Sequence, residues 1–499
     1  MNSQNSQISR RALLRLSAAS MTTLALNPMA AMAASGRVPL RIPPLESGTM
    51  VGGKRQFDLT LGHGATEFFT GVETKTMGIN GSYLGPVLRF RAGEDVRIDV
   101  KNTLADSTTL HWHGFNLPAK SDGGPHQVIT PGNSWTAEFN VQEKAATMWY
   151  HSHLMGKTAD QVWAGLAGMI IVDDDESANL DLPNTYGVDD IPVILQDRSF
   201  NSYGQMPYKP GMHFRMMGMT GDTAVVNGTV APFLDVTTSK VRLRLLNASN
   251  GSIYMLGFAD GRSFDVIASD GGLLTAPVST TGVRLAPGER AEIVVDMSNK
   301  TPAMLRSFSI QTEDMGGMMG GMMGGMMNEG SPEFEFLELR PAADLVGSSE
   351  LPTQLADLPI PDTTTATNGR RFELHMRGMM MMNALTGGGF TINGKSMDPQ
   401  RIDEVVKRGE TEVWEIANTS MMAHPFHIHN TQFRILDRNG QAPHPIEAGR
   451  KDTVLVFPGE TVRILIRFDH YADASTPYMY HCHILEHEDA GMMGQFTVV

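Results

Sequence analysis

Cysteine is almost absent. Cys482 is the single one in 499 residues, and one thiol cannot close an intramolecular disulfide, so this is not a disulfide scaffold. Long apolar runs are missing as well: the run ending near Leu26 is too short to span a bilayer, and nothing later resembles a membrane span. Positive charge is in deficit, 40 Lys and Arg against 54 Asp and Glu for a formal charge of −14. Binding phosphates needs clustered cations, so the balance argues against a nucleic-acid partner while remaining compatible with attracting cations. Helix-period segments are scarce, which points away from helical architectures.

What is present begins with an address. Ser9-Arg10-Arg11-Ala12-Leu13-Leu14 sets a twin arginine before a modest apolar run, and Ala31-Met32-Ala33 offers a small-residue cleavage site. Residues 1–34 therefore read as a twin-arginine signal peptide, and the expected location is the periplasm. That pathway carries folded proteins, which suits one that acquires its cofactor before export.

The remaining length suits about three domains, and internal repetition supplies them. Residues 85–115 (GPVLRFRAGEDVRIDVKNTLADSTTLHWHGF) and 408–430 (RGETEVWEIANTSMMAHPFHIHN) share a turn, an alternating strand, an Asn and a histidine cluster. A middle copy at 226–251 keeps the strand and the Asn but no histidine. A second block opens at Pro131-Gly132, Pro287-Gly288 and Pro458-Gly459, each followed by a strand of period two. It ends in WYHSHL (149–154) and YHCHIL (480–485) in the outer copies, and in SFSIQTED (307–314) in the middle one. The expected fold is all-β, three Greek-key sandwiches or barrels at 45–180, 181–345 and 371–499, with a Pro/Ser/Thr-rich linker at 346–370. The middle domain is stripped of ligands and reads as a spacer.

Ten of sixteen histidines fall in four clusters: His111 and His113; His151 and His153; His424, His427 and His429; His481, His483 and His487. On a strand, residues i and i+2 share a face, so each His-x-His presents two imidazoles to one side. Cys482, between His481 and His483, points to the other. One segment then serves two metal sites back to back, with a covalent path between them. A lone cysteine among imidazoles in an oxidising compartment reads as a metal thiolate. Two histidines, a thiolate and a weak axial methionine make a blue-copper site, which Cys482, His424, His487 and Met492 can supply. Eight histidines remain, enough for three further coppers that bind dioxygen. Zinc, the rival metal, favours closed four-ligand units and leaves the thiolate beside a separate eight-histidine set unexplained.

HWHG, HSH, HPFHIH and HCH-x3-H-x4-M, in this order, resemble the four copper motifs of three-domain multicopper oxidases, from about residue 50 to the end, and the closest likeness is to bacterial periplasmic copper-efflux (cuprous) oxidases. The resemblance implies cupredoxin-like domains and four copper ions. It places His424, Cys482, His487 and Met492 at the type 1 copper, His111 and His427 at type 2, and His113, His151, His153, His429, His481 and His483 at the type 3 pair, between the first and third domains. It also implies that Asp122 and Glu488 relay the four protons that reduction of dioxygen to water consumes.

Methionine is abundant, 35 residues. Met315 to Met327 reads MGGMMGGMMGGMM in the middle domain, and further Met lie at Met376, Met379 to Met382, Met421 and Met422. Thioethers are soft and prefer Cu(I). Together with the resemblance this implies a cuprous oxidase of copper tolerance, oxidising Cu(I) to Cu(II) with dioxygen, or a laccase-like oxidase of phenols, through a solvent-near edge of His487. Met376, Met422, Met318, Met319, Met322 and Met323 are candidate substrate contacts. One departure is Ser420, where the cuprous group has an aspartate that helps bind substrate copper. A Cu(I)-scavenging protein and a copper-free structural protein of cell division are the other readings; the latter would have lost ligands, and none is missing. A monomer is expected.

Overall fold

The computed structural model describes residues 36–309, 333–366, 368–376 and 389–499. The twin-arginine segment, Met315 to Met327 (with Met318, Met319, Met322 and Met323) and Met379 to Met382 lie outside the described residues.

Period-two alternation builds the strands. Asp95–Asn102 buries Val96, Ile98 and Val100 and turns its charged residues outward; Thr461–Arg467 does the same with Val462, Ile464 and Ile466. One topology then recurs three times. Lys54–Phe69 runs parallel to Asp95–Asn102, Asp190–Arg198 to Lys240–Asn247, and Asn368–Met376 to Thr411–Asn418. The second strand of each pair lies antiparallel to the strand opened by the Pro-Gly block, Ser134–Asn140, Arg290–Asp296 and Thr461–Arg467. Parallel neighbours cannot be joined by a hairpin, so the chain crosses to a second sheet between them, the Greek-key pattern. The chain is all-β, with three separate apolar cores centred on Phe90 and Trp112, on Tyr254 and Phe336, and on Trp414 and Phe496.

The repeated Asn and the repeated Pro-Gly are two halves of one device. The backbone carbonyls of Asn102, Asn247 and Asn418 accept from the N–H of Gly132, Gly288 and Gly459, each at 2.9 Å. Each Asn Nδ2 donates to a carbonyl just before the Pro-Gly turn, that of Ile129, Leu285 or Val456. Each Oδ1 accepts a backbone N–H two residues on, from Leu104, Ser249 or Ser420. These amides are buried, so losing one leaves several polar groups unpaired at about 1–3 kcal/mol each. Asn247→Ala, in the domain that carries no histidine cluster, should lower the thermal unfolding midpoint by several degrees; an unchanged midpoint would show that the amide is dispensable.

Two segments join domains. Val38–Pro39 pairs parallel with Pro232–Thr238, so the start of the described chain belongs to a middle-domain sheet. Within the expected linker, Leu355 packs with Leu182, Ile267 and Leu273, and its N–H donates to the Thr275 carbonyl at 2.9 Å. The segment is laid along the middle domain rather than hanging free.

Candidate metal centre

The ligand strands lie in the second sheets of the first and third domains. His111–His113 pairs antiparallel with Ala146–His151, setting His111 opposite His151. In the third domain, His424–Ile428 pairs with Asp473–Cys482, setting Phe426 opposite Cys482 and His427 opposite His481. Alternation divides these residues between two faces. Cys482 and Phe426 turn into the third-domain core, where His424 also points, while His427, His429, His481 and His483 turn toward the first domain.

On the core side, Cys482 Sγ lies 3.4 Å from His424 Nδ1 and 3.6 Å from His487 Nδ1. Met492 packs in the same core cluster as Cys482, and its backbone carbonyl accepts from Cys482 N–H. Burial pushes the thiol far up and His487 down to about 4. A buried thiol beside two neutral imidazoles needs a cation to ionise it.

On the other side, eight imidazoles converge, four from each outer domain. His113, His151 and His483 form one group and His153, His429 and His481 another, with His111 and His427 beside them. His481 Nε2 lies 3.1 Å from that of His153 and 3.3 Å from that of His429. Imidazoles of the two domains stack in pairs, His111 on His429 at 3.9 Å and His113 on His427 at 3.7 Å. Burial, with neighbouring imidazoles, holds them neutral, His153 and His429 at about 3.

The hydrogen bonds say which nitrogen is free. His111, His151 and His427 donate from Nδ1 to the carbonyls of Asp122, Ser152 and Asp452 at 2.9, 2.7 and 2.8 Å. A carbonyl only accepts, so the proton is on Nδ1 and Nε2 presents a lone pair. Those three Nε2 atoms, His113 Nδ1 and both nitrogens of His483 are buried without a partner. Five imidazoles with a free nitrogen each, converging in one interior, are a potential metal-ligand set that fits copper.

Two carboxyls stand behind the second group. Asp122 Oδ2 accepts from His429 Nδ1 at 2.8 Å, and Oδ1 is 3.5 Å from His111 Nδ1. Gly123 makes that approach possible: at φ +74° a Cβ would lie 1.8 Å from the Leu110 carbonyl oxygen. Glu488, on the short helix Leu485–Asp489, has its oxygens 3.3 Å from His153 Nδ1 and 3.3 Å from His481 Nδ1. Burial raises Asp122 to about 7 and Glu488 well above the carboxylate range.

Some expectations need correcting. His487 has no solvent-near edge: it is fully buried, its Nε2 donates to the Met216 carbonyl at 2.9 Å, and Phe390 stacks on its ring at 4.2 Å. The cover comes from a middle-domain helix, Met212–Met217, remote in sequence from every ligand. Ser420, the departure from the cuprous group, is turned inward: its Oγ accepts from His424 Nε2 at 2.7 Å and orients that imidazole. Met422 and Met376 are partly buried against the third-domain core, and Met421 is exposed.

Other residues escaped the sequence reading altogether. Asp452 Oδ1 accepts from His113 Nε2 at 2.9 Å. Glu486 accepts from Tyr208 Oη and Asn250 Nδ2 at 3.0 Å each and from Met219 N–H at 2.9 Å, and Asp489 caps Thr158–Ala164 through the N–H groups of Thr158 and Ala159. The helix holding His487 and Glu488 is thus tied to the first and middle domains. The acids flanking His487 were the only local signal for this.

Glu143 is a further case. Its Oε1 accepts from both N–H and Nδ2 of Asn116, in the loop leaving His113, and burial raises its carboxyl to about 7 from 4.5. The folded state thus favours the protonated form. The associated stability is full below about pH 4.5 and lost as pH rises through about 7, at most about 3 kcal/mol. Glu143→Gln should flatten this: relative to wild type it gains in unfolding temperature from pH 5 to pH 8, and parallel profiles would refute the assignment.

Comparisons with known proteins agree with this geometry. Family models described as multicopper oxidase match residues 61–177, 193–319 and 361–499. The chain is 37% identical over 455 residues to the Staphylococcus aureus multicopper oxidase mco, covering 89% of each. It is 35% identical to the cell division protein FtsP of Escherichia coli, over 98% of this chain and 99% of that one. Among solved structures, a laccase-like multicopper oxidase CueO from Ochrobactrum, with oxidase activity towards lignin model compounds, superposes with a TM-score of 0.82 at 38% identity, over 92% of this chain and all of that one. No helix among the described residues is long and apolar enough to cross a membrane. Two back-to-back ligand sets, one thiolate-containing and one of eight histidines, and three matching domains lead to one conclusion: the chain belongs to the multicopper oxidases, oxidoreductases that use four copper ions and take dioxygen as acceptor.

Proposed function

We propose that this protein is an exported cuprous oxidase, which oxidises Cu(I) to Cu(II) and protects the periplasm from copper. The balance is four Cu(I), one dioxygen and four protons giving four Cu(II) and two waters. When bound, the resident copper ions supply one-electron acceptance at the thiolate site and reduction of dioxygen at the histidine site. The protein's own residues do the rest. Cys482 and its neighbours His481 and His483 join the two sites through a few covalent bonds. Asp122 and Glu488 hold protons behind His429, His153 and His481.

One observation carries the choice of substrate: His487, beside the Cys482 thiol, is sealed from solvent and hydrogen-bonded to a helix that bears Met212, Met216 and Met217. A phenol ring has no open imidazole edge to rest on, whereas soft thioethers suit Cu(I). The Gly-Met run 315–327 belongs to the same domain as this helix. The oxidation of lignin model compounds by the Ochrobactrum protein keeps phenols as the second reading. Deleting residues 315–327 should lower kcat/KM for Cu(I) about tenfold, the effect of losing about 1.4 kcal/mol of binding, and leave phenol oxidation unchanged or faster. Unchanged Cu(I) kinetics would take that run out of the mechanism. The copper-free role of a division protein is disfavoured because every ligand position is filled and the ligands converge.

A further inference from the structure

The middle domain offers no histidine to the clusters, yet it reaches them. Its Pro-Gly block carries a cation where the outer copies have a small hydroxyl residue: Ser134 and Thr461 follow two residues after glycine in the outer domains, and Arg290 stands there in the middle. Ser134 is exposed and Thr461 half-buried, whereas Arg290 is fully buried. A guanidinium is costly to bury unless it is paired and all its donors are used.

All of them are used, in all three domains. Nε donates to the Thr147 carbonyl of the first domain at 3.0 Å. Nη1 donates to the Gly288 carbonyl at 2.9 Å and Nη2 to that of Asp270 at 2.9 Å, both in the middle domain. The remaining N–H groups form a two-pronged pair with the third domain's Asp452, Nη1 to Oδ1 at 2.8 Å and Nη2 to Oδ2 at 2.5 Å. Asp452 in turn holds two imidazoles, His113 through Oδ1 at 2.9 Å and His427 through its backbone carbonyl at 2.8 Å. A carboxylate without a proton only accepts, so His113 carries its hydrogen on Nε2 and frees Nδ1, the reverse of His111, His151 and His427. The same turn touches a third imidazole: Gly288 sits at φ +87°, and a Cβ there would lie 3.0 Å from the His483 ring.

We propose that Arg290 is a positioning residue for the histidine site: through Asp452 the ligand-free middle domain sets which nitrogen His113 presents and how His113 and His427 are oriented. The proposal rests on the copper reading. Lysine cannot reproduce the two-pronged grip, so Arg290→Gln and Arg290→Lys grade the effect. Both variants would be loaded with copper and followed by copper per chain, the blue absorption of the thiolate site and the type 2 spin-resonance signal, with oxygen uptake measured alongside. The expected result is an intact blue absorption with copper affinity at the histidine site at least about tenfold weaker in Arg290→Gln, read as fewer coppers per chain and a weakened type 2 signal, the usual scale for a residue that orients a ligand, and an intermediate loss in Arg290→Lys. Wild-type copper per chain together with a wild-type type 2 signal in Arg290→Gln overturns the proposal. So does loss of both signals together in both variants, since that is general unfolding rather than positioning. A wild-type protein with neither signal sinks the copper reading itself, a distinct outcome that takes the proposal with it.

Discussion

Cys482→Ser is expected to abolish the intense blue absorption of the copper-loaded protein and to bring Cu(I)-driven oxygen uptake down to background. Sγ is wholly buried, 3.4 Å from His424 Nδ1 and 3.6 Å from His487 Nδ1. A serine hydroxyl at that place is nearly the same size but a hard, protonated oxygen, unable to replace a soft thiolate. The fold should survive, because the strand and its pairing with His424–Ile428 are backbone features. The histidine site should survive with it, since its imidazoles leave the opposite face. Copper retained by the variant would therefore lack colour but keep a type 2 signal. The same experiment separates an enzyme from a Cu(I) scavenger. A scavenger relying on thioethers would bind Cu(I) equally well in both proteins and consume no oxygen in either. A blue band that persists in the serine variant would remove Cys482 from the metal site.

The second large effect is expected at Glu488. Glu488→Gln should lower kcat by about 10²–10⁴, the range for removing a group that moves a proton, without changing copper content or the blue absorption. Both oxygens of Glu488 are buried and lie 3.3 Å from imidazole nitrogens of the histidine site. Burial raises its carboxyl well above the usual range, so the protein without metal holds a proton there. Glutamine keeps the shape and the hydrogen-bonding capacity but cannot release or take up that proton. Asp122→Asn should act in the same sense, and because Asp122 Oδ2 also anchors His429, it should disturb copper affinity as well. If Glu488→Gln turned over at the wild-type rate, protons would have to reach the site by Asp122 or by water alone.

The ligand sets were legible because strand geometry is local. Two residues apart means one face and one residue apart means opposite faces, so His481-Cys482-His483 announces two sites before any coordinates are known. His424 proved to follow the same rule, an even position on the strand His424–Ile428, with odd-numbered His427, and His429 just past its end, turned the other way. The domain repeat was legible too, as copies of an Asn and of a Pro-Gly. Their joint purpose was not, because the hydrogen bond from Gly288 to Asn247 exists only once both strands are in place.

The sequence by itself determined which histidines and which cysteine could share a face, their division between two faces, the repeated β plan and a methionine-rich, acidic composition. Tertiary structure alone decided what surrounds the ligands. Asp452 meets His113 across 339 residues, Arg290 meets Asp452 across 162, and Met216 seals His487 across 271. A side chain's face follows from the backbone period of its own strand, whereas its hydrogen-bond partner across a domain boundary depends on how separately folded cores dock, which no local pattern encodes.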